Sequence, residues 1–289
     1  MIAGQQSRTA QYAAFFRALE SRRPARRRLF DDPLAVAFLD RSLRAAVVAA
    51  GLPAVGPTLT WLLDRWIPGP RPSAVVRTRL IDDALRSAVA EGVQQVVILG
   101  AGFDTRAYRM PELRRLAVFE VDHPDTQAAK LHVLEGELEM WPDQVTFVQV
   151  DFDRDQLATA LNDAGLRRGL STFVIWEGVA SYLTPEAVDA TVRWARSVSG
   201  PGSHLVLTYV DRGLIDGTRQ FPHAAAWVRS VTRAGEPFVF GFEPADLPRY
   251  LNERGWELVS DLSTTEALVQ YGLTSRRVPG FYRIGHATS

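Results

Sequence analysis

The sequence contains no cysteine, and this absence excludes disulfide bonds, thiolate metal sites and cysteine nucleophiles. Lysine is almost absent too, because Lys130 is the only one and arginine supplies the rest of the 33 basic residues. An equal number of acidic residues makes the formal net charge zero. A chain without excess positive charge lacks the electrostatic signature of proteins that bind nucleic acid or anionic membranes, so we expect neither partner. We also predict no metal site.

No hydrophobic run is long enough to cross a membrane. Residues Met1 to Gln11 have no apolar core behind a positive charge, which a secretory signal needs. The most apolar early run, Ala45 to Val55, is short and is interrupted by Gly51 and Pro53. We therefore expect a cytoplasmic protein. Its 289 residues, 46% of them hydrophobic, suit one large globular domain.

Short β-branched runs alternate with helical patterns over most of the chain. The predicted strands are residues 96–99, 116–121, 145–150, 172–176, 204–210, 256–262 and 280–285. The predicted helices include residues 9–20, one helix from Asp32 through Leu43, 58–66, 73–91, 124–139, 224–232 and 244–254. Strand–helix units with short links favour parallel pairing, so we predict an α/β fold with a doubly wound sheet. Within one domain we predict an N-terminal helical cap or lid at residues 1–72, a core at residues 73–289, and a substrate-side insertion at about residues 211–243.

The most informative stretch is Val96–Met110. Four apolar residues that suit a buried strand run into Gly100, Ala101 and Gly102, and Asp104 and Thr105 follow as possible helix caps. Strand, glycine turn and helix is the arrangement by which α/β proteins bring their backbone close to a nucleotide-like cofactor. The alternative is a tight turn that binds nothing.

This turn departs from the dinucleotide-binding fingerprint in two ways. Thr105 stands in place of the third glycine, and Asp104 would repel a pyrophosphate at the helix N-terminus. A cofactor with a ribose, a positive charge and no phosphate fits better, and acids such as Asp104 suit its charge. S-adenosyl-L-methionine, which becomes S-adenosyl-L-homocysteine when it gives up its methyl group, has this chemistry. An NAD(P)-dependent oxidoreductase on a similar sheet is the alternative.

Acidic residues follow the ends of several predicted strands, where a parallel sheet places its ligand. Asp122 ends the second strand and can accept hydrogen bonds from both hydroxyls of a ribose. Glu120 lies on the same face two residues earlier, so the pattern leaves both open, although the strand end favours Asp122. Asp122 can also cap the helix that begins at Pro124. The residues after the next three strands are Asp151, Phe152, Glu177, Tyr182, Asp211 and Arg212.

Five motifs occur in an order that resembles one family of enzymes. They are Arg77–Asp82 (RTRLID), Gly100–Arg106 (GAGFDTR), Glu120–Pro124 (EVDHP), Asp151–Asp153 (DFD) and Glu177–Leu183 (EGVASYL). The chain resembles the leucine carboxyl methyltransferase-like branch of the class I S-adenosylmethionine-dependent methyltransferases, and Leu29–Ala35 (LFDDPLA) is similar to its bacterial O-methyltransferases. The resemblance implies a Rossmann-like, seven-stranded, mostly parallel sheet with strand 7 antiparallel.

The resemblance also implies which residues bind the cofactor. Arg77, or Arg79 as the close alternative, pairs with the cofactor carboxylate. The other implied contacts are Gly100 and Gly102 under the methionine part, Asp122 on the ribose, Asp151 and Phe152 around the adenine, and Glu177 near the ammonium group. The N-terminal helix with Thr9 and Ala10 is expected to fold over the cofactor.

Methyl transfer from a sulfonium is an in-line displacement, for which the protein supplies alignment and electrostatics. A carboxylate acceptor is already ionised and needs no general base, whereas a phenol or alcohol needs a base or at least a lowered pKa. The candidate bases are His123, His223 and Asp211, with Tyr182 nearby, and each has an ordinary structural alternative.

We predict an S-adenosylmethionine-dependent O-methyltransferase that acts on a carboxylate or phenolic hydroxyl of a small molecule such as a secondary metabolite. In the insertion, Arg212 is a candidate to hold an acidic group, and Phe221 and Trp227 are candidates to line an apolar pocket. The alternative for these three is a surface arginine and core aromatics. A catalytically silent family member that serves as a binding or scaffold protein is the remaining alternative.

Overall fold

A seven-stranded sheet forms the centre of the protein. The structure is a computed structural model that describes residues 8–151, 157–273 and 277–289. The strands are β1 Gln95–Leu99, β2 Ala117–Asp122, β3 Val145–Gln149, β4 Thr172–Trp176, β5 His204–Val210, β6 Glu257–Ser263 and β7 Tyr282–Thr288. Their spatial order is β3-β2-β1-β4-β5-β7-β6, and β7 runs antiparallel to β5 and β6 while the other neighbours are parallel. This confirms the predicted fold class.

Helices pack on both faces of the sheet. They are α1 Arg8–Ser21, α2 Arg41–Ala50, α3 Val55–Trp66, α4 Pro70–Ala90, α5 Arg106–Arg109, α6 Pro124–Glu137, α7 Leu157–Asp163, α8 Pro185–Val198, α9 Arg212–Ile215, α10 Ala224–Arg233, α11 Leu247–Asn252 and α12 Thr264–Gln270. Successive residues of β1 point to opposite faces, so Val97 and Leu99 share an apolar cluster with α7, α8 and α11, whereas Val96 and Ile98 share one with α4 and α12. Within the described ranges, no helix is long and apolar enough to cross a membrane.

The strand order fixes where a ligand can bind. The chain moves outward from β1 through β2 to β3, and then returns to place β4 on the other side of β1. A crevice opens at such a reversal, beyond the carboxyl ends of the two strands. Gly100 follows β1 there and Glu177 follows β4, so these two residues mark the site.

The N-terminal region differs from the prediction at one point. The single helix predicted from Asp32 onward is wrong, because a 3-10 turn covers Ala35–Phe38 and α2 begins separately after Asp40. The carboxylate of Asp40 accepts two backbone N–H groups and so starts the new helix. The buried carboxylate of Asp32 accepts the backbone N–H of Ala35 at the start of the 3-10 turn, and it also accepts hydrogen bonds from Arg17 and Thr105.

The C-terminal region contains a helix that the prediction missed. Ser263 and Glu266 form a reciprocal capping box at the start of α12. The sequence Ser-Thr-Thr-Glu carries the signature of this motif, but it stands directly after a strand and the predicted helices do not include it. In the same region, the single helix predicted over residues 244–254 is wrong, because a 3-10 turn at Pro244–Asp246 precedes the shorter α11.

Two histidines form a hydrogen-bonded pair between β5 and β7, at the end of the sheet opposite the crevice. His204 Nδ1 lies 3.0 Å from His286 Nε2, and the ring of Phe173 stacks on His204. Burial, together with the nearby charge of His204, lowers the pKa of His286 to about 4, and burial also lowers that of His204. The acidic group facing the pair is Glu91, 3.9 Å from His204 Nε2.

We expect this pair to make the protein less stable in weak acid. Unfolded histidine takes up a proton near pH 6.5, whereas folded His286 does so only near pH 4, so stability falls as the pH drops from 7 to 4. For a partly exposed ring the loss is about 1–2 kcal/mol at pH 5. Urea unfolding at pH 7.5 and pH 5 should show a smaller pH dependence for His286→Gln than for the wild type. An equal dependence in both proteins would contradict this expectation.

Candidate active site

The turn after β1 forms the floor of the site. Gly100 and Gly102 both have positive φ angles, 63° and 45°, in the region that favours glycine. A Cβ on Gly100 would lie 2.3 Å from Cγ2 of Val179, and one on Gly102 would lie 3.4 Å from Cβ of Ala10. The loop after β4 and the helix α1 therefore both pack closely against this turn, which leaves no room for a side chain at Gly100.

Asp122 at the end of β2 holds the other side of the turn. Its carboxylate accepts hydrogen bonds from the backbone N–H groups of Gly102 and His123. The side chain is largely buried, and burial raises the pKa of Asp122 against the opposing effect of the Gly102 N–H. Asp122 thus links β2 to the glycine turn and lies where the sequence places a ribose-binding acid.

Glu120 lies deeper than Asp122 and is paired with the only lysine of the chain. Lys130 Nζ on α6 is 2.6 Å from Glu120 Oε2, and the Tyr108 hydroxyl donates to the same oxygen at 3.2 Å. Burial raises the pKa of Glu120, and the ammonium of Lys130 opposes the rise. Within the described part of the chain, Glu120 Oε1 is buried without a hydrogen-bond partner.

Arg77 and Glu177 meet across the crevice. Arg77 Nε on α4 donates to Glu177 Oε1 at 2.6 Å, and Arg106 Nη1 donates to Glu177 Oε2 at 2.9 Å. Burial by itself would raise the pKa of Glu177, but the two guanidinium groups outweigh it and the pKa is lowered. Glu177 therefore remains an anion at the carboxyl end of β4.

Arg106 lies at the centre of a wider charge cluster. It contacts Asp104 and donates from Nε to Asp82 at 2.8 Å, and Arg109 donates to both oxygens of Asp82, also at 2.8 Å. Burial would raise the pKa of Asp104, yet Arg106 and, more weakly, Lys130 lower it to about 2. The buried carboxylates around Arg106 are thus paired with cations.

The same cluster reaches the N-terminal helix. Arg17 on α1 donates from Nε to Asp32 at 2.8 Å and from Nη2 to the carbonyl oxygen of Phe103 at 2.5 Å. Asp32 also accepts from the Thr105 hydroxyl at 2.7 Å and lies 3.9 Å from Arg109. Contacts of charged groups therefore tie α1 to the loop directly after the glycine turn.

We call the charged residues that these contacts link to one another the buried charge network. Its cations and anions are equal in number, which is the condition under which buried charges compensate one another's lost hydration. The members are Arg17, Arg77, Arg106, Arg109, Asp32, Asp82, Asp104 and Glu177.

Comparison with known proteins identifies the family. The family model described as leucine carboxyl methyltransferase matches residues 10–196, which contain most of the cap, the glycine turn and Glu177. The chain belongs to the leucine carboxyl methyltransferase family. A Streptomyces coelicolor protein assigned as an S-adenosyl-L-methionine-dependent methyltransferase is 36% identical over 279 residues, covering 94% of this chain and 89% of its own. One from Parafrankia with the same assignment is 35% identical, covering 90% and 79%.

Solved structures share the fold at low sequence identity. A Thermobifida fusca protein assigned as a methyltransferase has a TM-score of 0.59 at 17% identity and covers 96% of this chain and 94% of its own. A DUF574-family protein from Streptomyces avermitilis has a TM-score of 0.57 at 15% identity, with coverage of 96% and 97%. This leucine carboxyl methyltransferase family member is an S-adenosyl-L-methionine-dependent methyltransferase, and the oxidoreductase alternative is left without support.

The described residues suit S-adenosyl-L-methionine, the cofactor of the family. Gly100 and Gly102 carry no side chains, so this turn presents its backbone at the carboxyl end of β1, where a closely bound ligand needs it. Arg77 and Glu177 offer opposite charges side by side, which matches the zwitterionic amino-acid end of the cofactor. Asp122 offers carboxylate oxygens at the strand end, and the cofactor has no phosphate for Asp104 to repel.

The remaining predicted cofactor-binding residues are Arg79, Ala101, Asp151 and Phe152. Arg79 donates to Asp83 at 2.7 Å and to the Leu29 carbonyl at 2.6 Å, so its contacts are separate from those of Glu177. Ala101 is buried within the turn, and Asp151 follows β3 and is half-buried. Phe152 lies outside the described residues.

Three of the four candidate bases have structural contacts, and the fourth, His223, is exposed. His123 Nδ1 accepts the backbone N–H of Asp125 and so caps α6, and Asp211 caps α9 and pairs with Arg219. His223 is exposed and has a φ angle of 66° before α10. The Tyr182 ring stacks on Phe238, and burial with the nearby Tyr282 raises the pKa of Tyr182.

The insertion brings aromatic side chains toward Arg77. Trp227 stacks on Tyr282 with ring centroids 5.5 Å apart, and Tyr282 lies under the Arg77 guanidinium. Phe221 is half-buried against Phe281. Arg212 is exposed and donates to a backbone carbonyl. Of the three substrate candidates, buried Trp227 is the one linked to Arg77, through Tyr282, by the contacts described here.

Sequence reasoning missed several residues of the site. Asp82 and Arg106 stand inside motifs that carried the family resemblance, but their pairing across 24 positions has no local signal. Thr208, whose hydroxyl bonds to Tyr282 and accepts the backbone N–H of Gly178, is a hydroxyl residue in the mostly apolar β5, and this is a possible signal. Tyr282 begins the last strand and gives no signal in the sequence.

Proposed function

We propose that the protein methylates an oxygen atom of a small molecule, with a carboxylate as the better supported acceptor and a phenolic hydroxyl as the other. The supporting observation is the state of the candidate bases. His123 and Asp211 serve as helix caps, burial raises the pKa of Tyr182, and His223 is exposed, so none of the four offers a free buried base beside the crevice. A carboxylate acceptor is ionised before it binds and requires no such group.

In this proposal the protein binds and orients the cofactor, and the cofactor provides the reactive group. S-adenosyl-L-methionine supplies an activated methyl group on a sulfonium. Arg77 binds the carboxylate and Glu177 the ammonium group, Asp122 binds the ribose hydroxyls, and Asp151 with Phe152 binds the adenine. The anionic state of Asp104 and Glu177 provides negative potential for the positive charge of the sulfonium.

We propose that α1 closes the site and that the cap and the insertion together form the acceptor pocket. Ala10 lies against the glycine turn, so α1 in this position keeps water from the cofactor. Half-buried Phe221 supplies apolar surface for the acceptor, and buried Trp227 packs against Tyr282 beside Arg77, which suits a small organic acid, such as a secondary metabolite.

Calorimetry followed by a methyl-transfer assay tests this function. We expect binding of S-adenosyl-L-methionine by the folded protein, and transfer of its labelled methyl group to a member of a metabolite extract. Release of labelled methanol in mild alkali would identify a methyl ester, whereas a phenol ether would keep its label. Cofactor binding without transfer to any acceptor would support the silent binding protein, and no binding at millimolar cofactor would overturn the proposal.

Asp122→Ala is expected to weaken cofactor binding by about 1–3 kcal/mol, the effect of losing a charge-assisted hydrogen bond. Titration calorimetry with S-adenosyl-L-homocysteine measures the change. Asp125→Ala is the matched control, because this acid lies three positions further on and its side chain is half exposed. An unchanged dissociation constant for Asp122→Ala would move the ribose role to Glu120, whose Oε1 is buried and unpartnered within the described residues.

A further inference from the structure

Tyr282, the first residue of β7, contacts Arg77 in two ways. Arg77 Nη1 donates to the Tyr282 hydroxyl at 3.2 Å, and the guanidinium carbon lies 5.4 Å from the centroid of the Tyr282 ring. The ring is itself held, because Trp227 stacks on it at an interplanar angle of 23°. Tyr282 is buried and lies beyond residues 10–196, the part that the family model matches.

Thr208 on β5 connects Tyr282 to the other side of the crevice. Thr208 Oγ1 lies 2.9 Å from the Tyr282 hydroxyl and accepts the backbone N–H of Gly178 at 2.8 Å. Gly178 directly follows Glu177, whose carboxylate accepts from Arg77 Nε. These contacts therefore form a closed cycle. It runs from Arg77 through Glu177, Gly178, Thr208 and Tyr282 and returns to Arg77.

This cycle of contacts restrains the guanidinium of Arg77 on two edges. Nε is engaged by Glu177 and Nη1 by Tyr282, while Nη2 faces Gly178 and lies 3.9 Å from the point where a Cβ of Gly178 would stand. A planar guanidinium binds a carboxylate well only when its orientation is fixed, because the two hydrogen bonds are parallel. A long arginine side chain otherwise loses rotamer freedom on binding.

We propose that Tyr282 is a positioning residue that, with Thr208, holds Arg77 in the orientation that binds the carboxylate of the cofactor. The inference rests on the proposed role of Arg77 and extends it to the antiparallel end of the sheet. Its consequence is selective, because Tyr282 affects affinity for ligands with the amino-acid part and leaves the adenosine part untouched.

Two ligands and one conservative substitution test this proposal. S-adenosyl-L-homocysteine carries the carboxylate, and 5′-methylthioadenosine has the same nucleoside and sulfur without the amino-acid end. For Tyr282→Phe we expect an approximately tenfold weaker dissociation constant for the first ligand, the scale of one lost hydrogen bond to a charged group. The dissociation constant for the second ligand should stay within about twofold of the wild type. Thr208→Val is expected to give the same selective loss.

Tyr209→Phe is the matched control. Tyr209 is also buried in the sheet, and its hydroxyl bonds to Asp261 and Arg283 instead of Arg77, so this variant should bind both ligands normally. In an Arg77→Met background, Tyr282→Phe should have almost no further effect. An equal loss for both ligands, or a full additional loss in that background, would overturn the positioning role. A folded wild type that binds neither ligand would overturn the cofactor site itself, which is a different result.

Discussion

Replacing Asp82 by alanine is expected to lower the free energy of unfolding by about 3–5 kcal/mol, the range measured when one partner of a buried ion pair is removed. Asp82 is fully buried and accepts hydrogen bonds from Arg106 and from both terminal nitrogens of Arg109. In the variant, the buried guanidinium groups of Arg106 and Arg109 lose the carboxylate that they share. Urea unfolding at neutral pH measures the change.

The neighbouring residue provides the control for this prediction. Asp83 is about one-third exposed and pairs with Arg79 and Arg86 on the surface of α4. Asp83→Ala should lower stability by less than about 1 kcal/mol, and salt should reduce that effect further. The effect of Asp82→Ala should be nearly independent of salt. Similar losses for the two variants would mean that the buried charge network adds little to stability.

The strands and the glycine turn are predictable from sequence because their signals are local. Three β-branched residues in β1 suit a strand buried on both faces, and two glycines at its end suit a turn with positive φ angles. The acid at the end of β2 follows from the same rule, because the ends of parallel strands meet at one edge. Each of these inferences needs only a few adjacent residues.

The buried charge network has no comparable local signal. Arg106 and Asp82 are 24 positions apart, and Arg77 and Glu177 are 100 apart, so only the fold brings them together. In the sequence, such residues resemble the charges of solvated helix faces. Asp32 illustrates the difficulty. Its place before Pro33 suggests a cap, and its carboxylate does accept the backbone N–H of Ala35, but nothing in the sequence indicates that it also binds Arg17 and Thr105 in the interior.

Lys130 is conspicuous in the sequence, but the sequence does not predict where it lies in the fold. A single lysine in a chain rich in arginine is conspicuous in the sequence, and the structure places it in the interior beside Glu120 and under the Tyr108 ring. An ammonium is a compact point charge, whereas a guanidinium is a broad planar fork. The pocket beside β2 therefore suits lysine, while the larger network around Arg106 uses the several donors of arginine.

Replacing Gly100 by alanine is expected to lower the free energy of unfolding by about 2–5 kcal/mol, because two unfavourable terms add. Any L-residue is strained at a φ angle of 63°, and the new Cβ would meet Val179 at 2.3 Å. The turn or the loop after β4 must move to relieve this contact. Since that loop also carries Glu177, we expect the affinity for S-adenosyl-L-homocysteine to fall together with stability.

Two further variants separate the steric term from the backbone term. Gly217 has a φ angle of 72° and no atom within 4 Å of its virtual Cβ, so Gly217→Ala should lose only about 1–2 kcal/mol and keep its cofactor affinity. Val179→Ala removes the atom in the way, so the double variant Gly100→Ala/Val179→Ala should be more stable than the two separate losses predict. If the stability losses of the two single variants simply add in the double variant, Val179 does not restrict a side chain at position 100. The cost of Gly100→Ala would then come from the backbone conformation alone.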